Sequence, residues 1–161
     1  MGFDLRTLSL ASVILDMAVL AIAFGFQYLG GLDPCILCIY QRWPWLAVIV
    51  LGSLAFGLGG NRFFLALVAL AALIGAGIAG FHVGVEQHWW AGTAECGGQT
   101  SAEMTVEALR EQLLNTQVTR CDEVAWSKFG ISMAGYNMIV ALALGLVVAF
   151  SVTLSRRRVR R

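Results

Sequence analysis

Four long apolar stretches dominate this 161-residue sequence, set apart by short polar segments and one long polar segment. They run approximately Leu8–Leu29, Ile39–Leu58, Phe63–Val85 and Ile131–Leu154. About 20 helical residues cross a hydrocarbon core of roughly 30 Å, so each stretch is long enough to span a bilayer. In lipid the backbone must satisfy its own polar groups, which leaves helices or a closed barrel. The runs are continuous rather than alternating, and this excludes the barrel pattern. The expectation is therefore an all-α, integral membrane four-helix bundle, with residues 1–161 as a single domain. The first stretch exceeds the roughly 7–15 apolar residues of a signal peptide, and no A-x-A-like site follows it, so it is read as a span. Loops of about residues 30–38 and 86–130 fall on one side of the membrane. Within the longer loop, Thr100 and Glu103 have capping-box spacing, and Val106, Leu109 and Leu113 share one helical face. That pattern predicts a short interfacial helix on the outer membrane surface.

Composition supports lipid as the solvent. Hydrophobic residues make up 58% of the chain and charged residues only 13%, about half the charge of a soluble domain. The net charge of +1 conceals a segregation. Arg6, Arg62, Arg156, Arg157, Arg158, Arg160 and Arg161 put seven of the 11 basic residues at the two termini and the short loop between the second and third spans. Lys and Arg mark the cytoplasmic side, so both termini are placed there. The long loop on the other side is acidic. Glu86, Glu95, Glu103, Glu107, Glu111, Asp122 and Glu123 outnumber Arg110, Arg120 and Lys128. The terminal arginine run directly follows an apolar helix, so it reads as a topological anchor, and no nucleic-acid partner is expected.

The cysteines carry the candidate chemistry. Cys35, Cys38, Cys96 and Cys121 all fall on the outer side of this topology, where an oxidising compartment permits disulfides. Four cysteines allow three connectivities, and the natural starting guess pairs Cys35 with Cys38 and Cys96 with Cys121. Two structural staples would explain the second pair. They explain Cys35-Ile-Leu-Cys38 poorly, because so small a ring removes little unfolded-state entropy, whereas CxxC is a usual format for exchanging dithiols. A four-cysteine zinc site favours two close pairs, and Cys96 and Cys121 are far apart. Cys38 lies at the predicted mouth of the second span, with Arg42 four residues later on the same face. Such a guanidinium can reach the interface and offer fixed donors to a carbonyl oxygen. A dithiol gives up two electrons, and at a membrane surface the natural two-electron acceptor is a lipid-soluble quinone.

Other features are discounted. Gly75-Ala-Gly77-Ile-Ala-Gly80 spells GxGxxG, yet it lies within a span rather than between a strand and a helix. Ala72, Ala76, Gly80 and Gly84 instead form a small-residue ladder suited to close helix packing. Asp16 falls near mid-membrane, roughly 20 Å by helical rise from the outer end of its span, and reads as a neutral or hydrogen-bonded packing residue. His82 and His88 lie six positions apart and face different ways on one helix end, which opposes haem ligation by both. His88, Trp89 and Trp90 read as an interfacial belt. His82 could help protonate a reduced quinone.

The stretch PCILCIYQR, Pro34 to Arg42, resembles the signature of the DsbB family of disulfide bond formation proteins. A second match is Cys121-x-Glu123-x-x-Trp126-x-x-x-Gly130-x-x-Met133, and Gln27 also matches. The resemblance covers nearly the whole chain and implies a multi-pass protein of the bacterial inner membrane, with its cysteine loops facing the periplasm. It implies a DsbA-type thioredoxin-fold partner that attacks the long-loop disulfide. Cys96 would form the mixed disulfide and Cys121 would leave. Cys35 would then exchange with Cys121, and Cys38 would become the thiolate facing a ubiquinone or menaquinone held with the help of Arg42. Such a DsbA–DsbB–quinone chain keeps the periplasm oxidising. The rival expectations are a structural four-span protein with static disulfides and a haem-binding membrane electron carrier.

Overall fold

A computed structural model describes residues 4–97 and 119–159, with side chains described through Ser155. The surface helix expected over Thr100–Leu113 lies outside the described residues. Helices α1 (Leu5–Tyr28), α2 (Ile36–Tyr40), α3 (Arg42–Gly57), α4 (Arg62–Glu86) and α5 (Met133–Val159) make up nearly all of the rest. Four segments are long and apolar enough to cross a membrane: Leu5–Tyr28, Ile36–Gly57, Arg62–Glu86 and Met133–Ser155.

Three boundaries differ from the sequence expectation in ways that matter for the site. The second crossing begins at Ile36, so the CxxC pair forms its entry instead of lying in a loop. Cys35 is the N-cap, its sulfur accepting from the Cys38 backbone N–H at 3.3 Å. Glu86, expected in the solvent loop, is the buried last residue of α4. Finally, Ile131–Ser132 precedes α5 as strand β2, paired antiparallel with β1 (Ser127–Lys128), a two-residue hairpin beside the expected helical bundle. The two turn residues, Phe129 and Gly130, have φ of 53° and 77°. Positive φ at both is the hairpin geometry of a type I′ turn, and a right-handed helix cannot run through it.

The break between α2 and α3 has a local cause. Pro44 has no N–H for the carbonyl one turn back, at Tyr40, and its ring crowds that carbonyl. The helix therefore restarts at Arg42 with Pro44 in its first turn. Gln41 and Arg42 sit at the junction.

Helix α4 packs most extensively against α5 and next against α3, and α3 packs against α1. Contact between α1 and α5 is slight. The core between helices is built from Val48, Leu65, Val68, Ala72, Ala76, Ala141, Leu144 and Val148. Ile14, Met17, Ile22, Val50, Ile74, Val147 and Phe150 point outward, as lipid contact demands. Lipid is as apolar as these side chains, so close packing of small residues has to bring the helices together. Ala72 and Ala76 of the ladder are buried for this purpose. Gly84 serves a different contact: a Cβ there would lie 2.0 Å from the Trp90 ring. Trp90 folds back onto α4, stacking on Phe81 and donating to its carbonyl oxygen at 3.0 Å.

Asp16 is fully buried on a stripe of α1 with Ser9 and Ser12. Both hydroxyls donate to backbone carbonyls of their own helix, Ser9 to Leu5 and Ser12 to Ser9. Neither Asp16 oxygen finds a hydrogen-bond partner among the described residues. The expected hydrogen bond is missing because both neighbouring hydroxyls have already committed their protons.

Candidate functional site

Cys96 and Cys121 are joined by a disulfide, whereas Cys35 and Cys38 are free thiols with their sulfurs 2.9 Å apart. The bridge removes the four-cysteine zinc alternative, because a bridged sulfur has no thiolate to offer a metal. Cys35, Cys96 and Cys121 are all buried, and they pack in one cluster with Leu37 and Val85. The outer loop is held onto the membrane pair by local contacts. Tyr40 donates to Glu95 at 2.7 Å, tying the 3-10 turn Ala94–Gly97 to α2. Arg120 makes two bonds to Asp122, at 2.9 and 2.6 Å, across Cys121. Ser132 caps α5 by accepting from Gly135 N–H at 3.1 Å and donates its own proton to Glu86 of α4.

The Cys35 sulfur accepts the Cys38 backbone N–H at 3.3 Å, shares a thiol hydrogen bond with the Cys38 sulfur at 2.9 Å and faces His82 Nε2 at 3.6 Å. The hydrogen bond with Cys38 above all, and His82 after it, hold Cys35 below the ordinary thiol range although burial opposes them. Cys35 is also the thiol buried in the cluster around the long-loop bridge.

On the other side of the pair lies a cavity of about 470 Å³, in the gap where α1 and α5 barely touch. Its walls are mainly apolar and include Val19, Ala23 and Phe26 of α1, Trp126 and Phe129 of the hairpin region, and Met133 and Val140 of α5. Trp126 is tilted against both Phe26 and Tyr136. Cys38, Gln41 and Arg42 supply reactive and polar groups to the wall. Arg42 is held over the Phe24 ring at 4.7 Å and donates to Gln27 at 2.8 Å. No carboxylate pairs with it among the described residues, so most of its donors remain to be used by something in the cavity.

His82, expected to help protonate a reduced quinone, does not line this cavity. Its helix, α4, contributes nothing to the walls. The imidazole is buried behind Gln41, with Nδ1 2.7 Å from Gln41 Nε2 and Nε2 facing Cys35. With both ring nitrogens engaged, it offers no axial ligand to a haem. His88 is not on the same helix end as expected. It follows α4 at φ 59°.

Trp45 and Asn137, which stand in no sequence motif, join Gln41 at the site. Trp45 Nε1 donates to Asn137 Oδ1 at 2.8 Å, and Asn137 donates to Gln41. The available signal was two amide side chains inside apolar spans, where each must find a partner.

The family profile described as "Disulfide bond formation protein DsbB" matches residues 5–151. A protein named disulfide bond formation protein B from Xylella fastidiosa (strain Temecula1) is 34% identical, covering 92% of this chain and 91% of its own length. One of the same name from Methylococcus capsulatus is 35% identical, covering 87% and 89%. An uncharacterised protein from Rickettsia prowazekii is 24% identical, covering 86% and 83%. No solved structure matches the chain. With a CxxC pair at the mouth of a four-span bundle, a bridged pair packed above it and a family match over most of its length, the chain belongs to the DsbB family of membrane proteins of disulfide bond formation.

Proposed function

We propose that the protein, as one four-span domain, reoxidises a DsbA-type thioredoxin-fold dithiol and passes the electrons to a membrane quinone. One observation carries this reading: the CxxC pair stands between the two reactants. Cys35 is buried in the cluster of the Cys96–Cys121 bridge with Cys38 packed at its edge, and of the two thiols only Cys38 also lines the cavity. Static staples would give no reason for two adjacent thiols to be left open beside a cavity.

The cavity fits a quinone headgroup in size and chemistry, since small-molecule sites are commonly about 300–1,000 Å³ with few polar groups. Bound there, a quinone would supply an acceptor for two electrons and two protons. Arg42 would orient a carbonyl oxygen, and Trp126 and Phe26 would flank the ring. The net reaction is partner dithiol plus quinone giving partner disulfide plus quinol, which balances without a further oxidant.

The protein's own steps are thiol–disulfide exchanges. The partner's thiolate attacks Cys96 and the S–S bond to Cys121 breaks, leaving the electron pair on Cys121. Cys121 attacks Cys35 of a closed Cys35–Cys38 bridge, and the electron pair passes to Cys38 at the cavity wall. The partner's second thiol then displaces Cys96, and Cys96 re-forms its bond with Cys121, which releases Cys35. The Cys35 thiolate closes again on Cys38 as the two electrons leave toward the cavity. The charge asymmetry of the loops directs the cysteine side to the periplasm.

The test uses purified protein in lipid nanodiscs with a reduced thioredoxin-fold dithiol and a short-chain quinone. One quinone should be reduced per dithiol oxidised, and Cys38→Ser should stop it. Thiol oxidation without quinone loss would sink the proposal.

A further inference from the structure

We propose that Trp45, Asn137 and Gln41 form a directional hydrogen-bond chain that fixes His82 as the tautomer with its proton on Nε2, presented to the Cys35 sulfur. The chain deepens the dithiol reading above and rests on it only for its role in turnover. The tautomer itself is a property of the resting protein.

The direction follows from one group. An indole N–H can donate but never accept. Trp45 Nε1 lies 2.8 Å from one amide atom of Asn137, so that atom must be the oxygen. The Asn137 nitrogen therefore faces Gln41 and must meet the Gln41 oxygen. This turns the Gln41 nitrogen toward His82 Nδ1, 2.7 Å away. A nitrogen facing an amide donor must present its lone pair, so in the neutral ring Nδ1 is bare and Nε2 carries the hydrogen. What surrounds Nε2 agrees independently. The Cys35 sulfur lies 3.6 Å away and the Glu86 carboxylate 4.0 Å away, both acceptors. Cys38 is the other titratable group at Cys35, its sulfur 2.9 Å away one turn along the helix that Cys35 caps.

No amide orientation has to be assumed for this result. It propagates from α3 to α5, back to the α2–α3 junction and on to α4, ending at the residue that caps α2. Trp45, Gln41 and His82 are buried. In that setting reversing one link would set donor against donor along the whole chain.

His82 is then a positioning donor toward Cys35, not a base. With its hydrogen already on Nε2, the ring cannot accept the Cys35 proton at that atom. It stabilises negative charge on Cys35 each time exchange leaves an electron pair there. Trp45 and Asn137 act at a distance, through the tautomer.

The test is 15N NMR of histidine-labelled protein with Cys35 and Cys38 reduced and no quinone or partner present. The chain holds two histidines, and His88→Gln assigns the signals. His82 should show a single tautomer, with Nδ1 unprotonated and Nε2 protonated. Asn137→Leu cuts the chain and Trp45→Phe removes the directing N–H together with part of the buried ring, so one remains informative if the other fails to fold. Either should yield a mixture of tautomers. Each should also raise the midpoint at which the first thiolate absorbance appears by about 0.3 pH unit for an even mixture, roughly twofold less thiolate at a fixed lower pH. A wild-type signal with the proton on Nδ1 would overturn the proposal. So would a single unchanged tautomer in both variants. A correct tautomer in a protein that reduces no quinone would instead count against the functional reading alone.

Discussion

Replacing Arg42 by methionine keeps an unbranched apolar stem at the cavity wall and removes the guanidinium. Three consequences can be sized from its surroundings. The Gln27 bond at 2.8 Å is lost, but Gln27 is only partly buried and can turn to other partners. The stacking over Phe24 is replaced by a thioether against the same ring. The donor to whatever occupies the cavity is lost outright, and a hydrogen bond from a charged group contributes about 1.5–3 kcal/mol. At 1.4 kcal/mol per factor of ten, the KM for quinone should rise about ten- to a hundredfold. The KM for the dithiol partner should stay near its wild-type value, because the Cys96–Cys121 bridge lies on the other side of the CxxC pair. Arg42→Lys should recover only part of the loss, since a point charge lacks the planar fork. Steady-state quinone reduction in nanodiscs, with each substrate varied in turn, measures all of this. An unchanged KM for quinone in Arg42→Met would reduce Arg42 to an interfacial anchor. A rise in the partner's KM alone would place the cavity on the wrong side of the dithiol.

Four further outcomes are expected. A partner variant lacking its resolving cysteine should be trapped as a covalent complex whose cross-link maps to Cys96 and disappears in Cys96→Ser; a cross-link at Cys35 would abolish the two-stage relay. The Cys35 thiolate should persist on acidification to well below the pH at which an ordinary thiol is protonated, and it should be lost only as pH falls through its lowered pKa; thiolate absorbance that vanishes near pH 8.5 would contradict the convergence of donors on that sulfur. Asp16→Val should stabilise the bundle against denaturant by about 1–3 kcal/mol, because it removes a buried acid whose oxygens have no partner among the described residues; lower stability, or lost turnover in a stable protein, would give Asp16 a role. After mild reduction, a membrane-impermeant thiol reagent on intact spheroplasts should label Cys96 and Cys121; labelling that needed a permeabilised membrane would reverse the topology.

Much of the fold was legible because lipid imposes length and continuity on every crossing. Period and composition sufficed for α1, α4 and α5. What escaped the sequence depended on single residues acting against the local trend. Pro44 breaks the second crossing at Gln41, yet apolar pattern alone reads straight through it. Ile131–Ser132 is as apolar as a helix start, and only the positive φ at Phe129 and Gly130 diverts it into a hairpin. Glu86 looks like a loop acid until Ser132 reaches back to it from the far end of the loop, a contact between residues 46 positions apart.

The dithiol site was legible in part for a related reason. Spacing can reveal a CxxC pair and an arginine one turn later, because those relations lie within one helix. It cannot reveal which sulfur faces which reactant, since that depends on what the other helices bring. Here α4 brings His82 to Cys35, while α1 and α5 stay apart to leave the cavity beside Cys38. The placement of His82 shows the limit well. Near the outer end of an apolar span, an imidazole is equally plausible beside either thiol, and polarity alone cannot choose. The choice is made by Gln41, which occupies Nδ1 from the cavity side and turns the ring toward Cys35. On the proposed relay, a dithiol that exchanges with a soluble partner on one face and passes electrons to a quinone on the other needs its two sulfurs in unlike surroundings. One helix turn between Cys35 and Cys38, with a hydrogen-bonded histidine on the first and an apolar cavity on the second, meets that requirement.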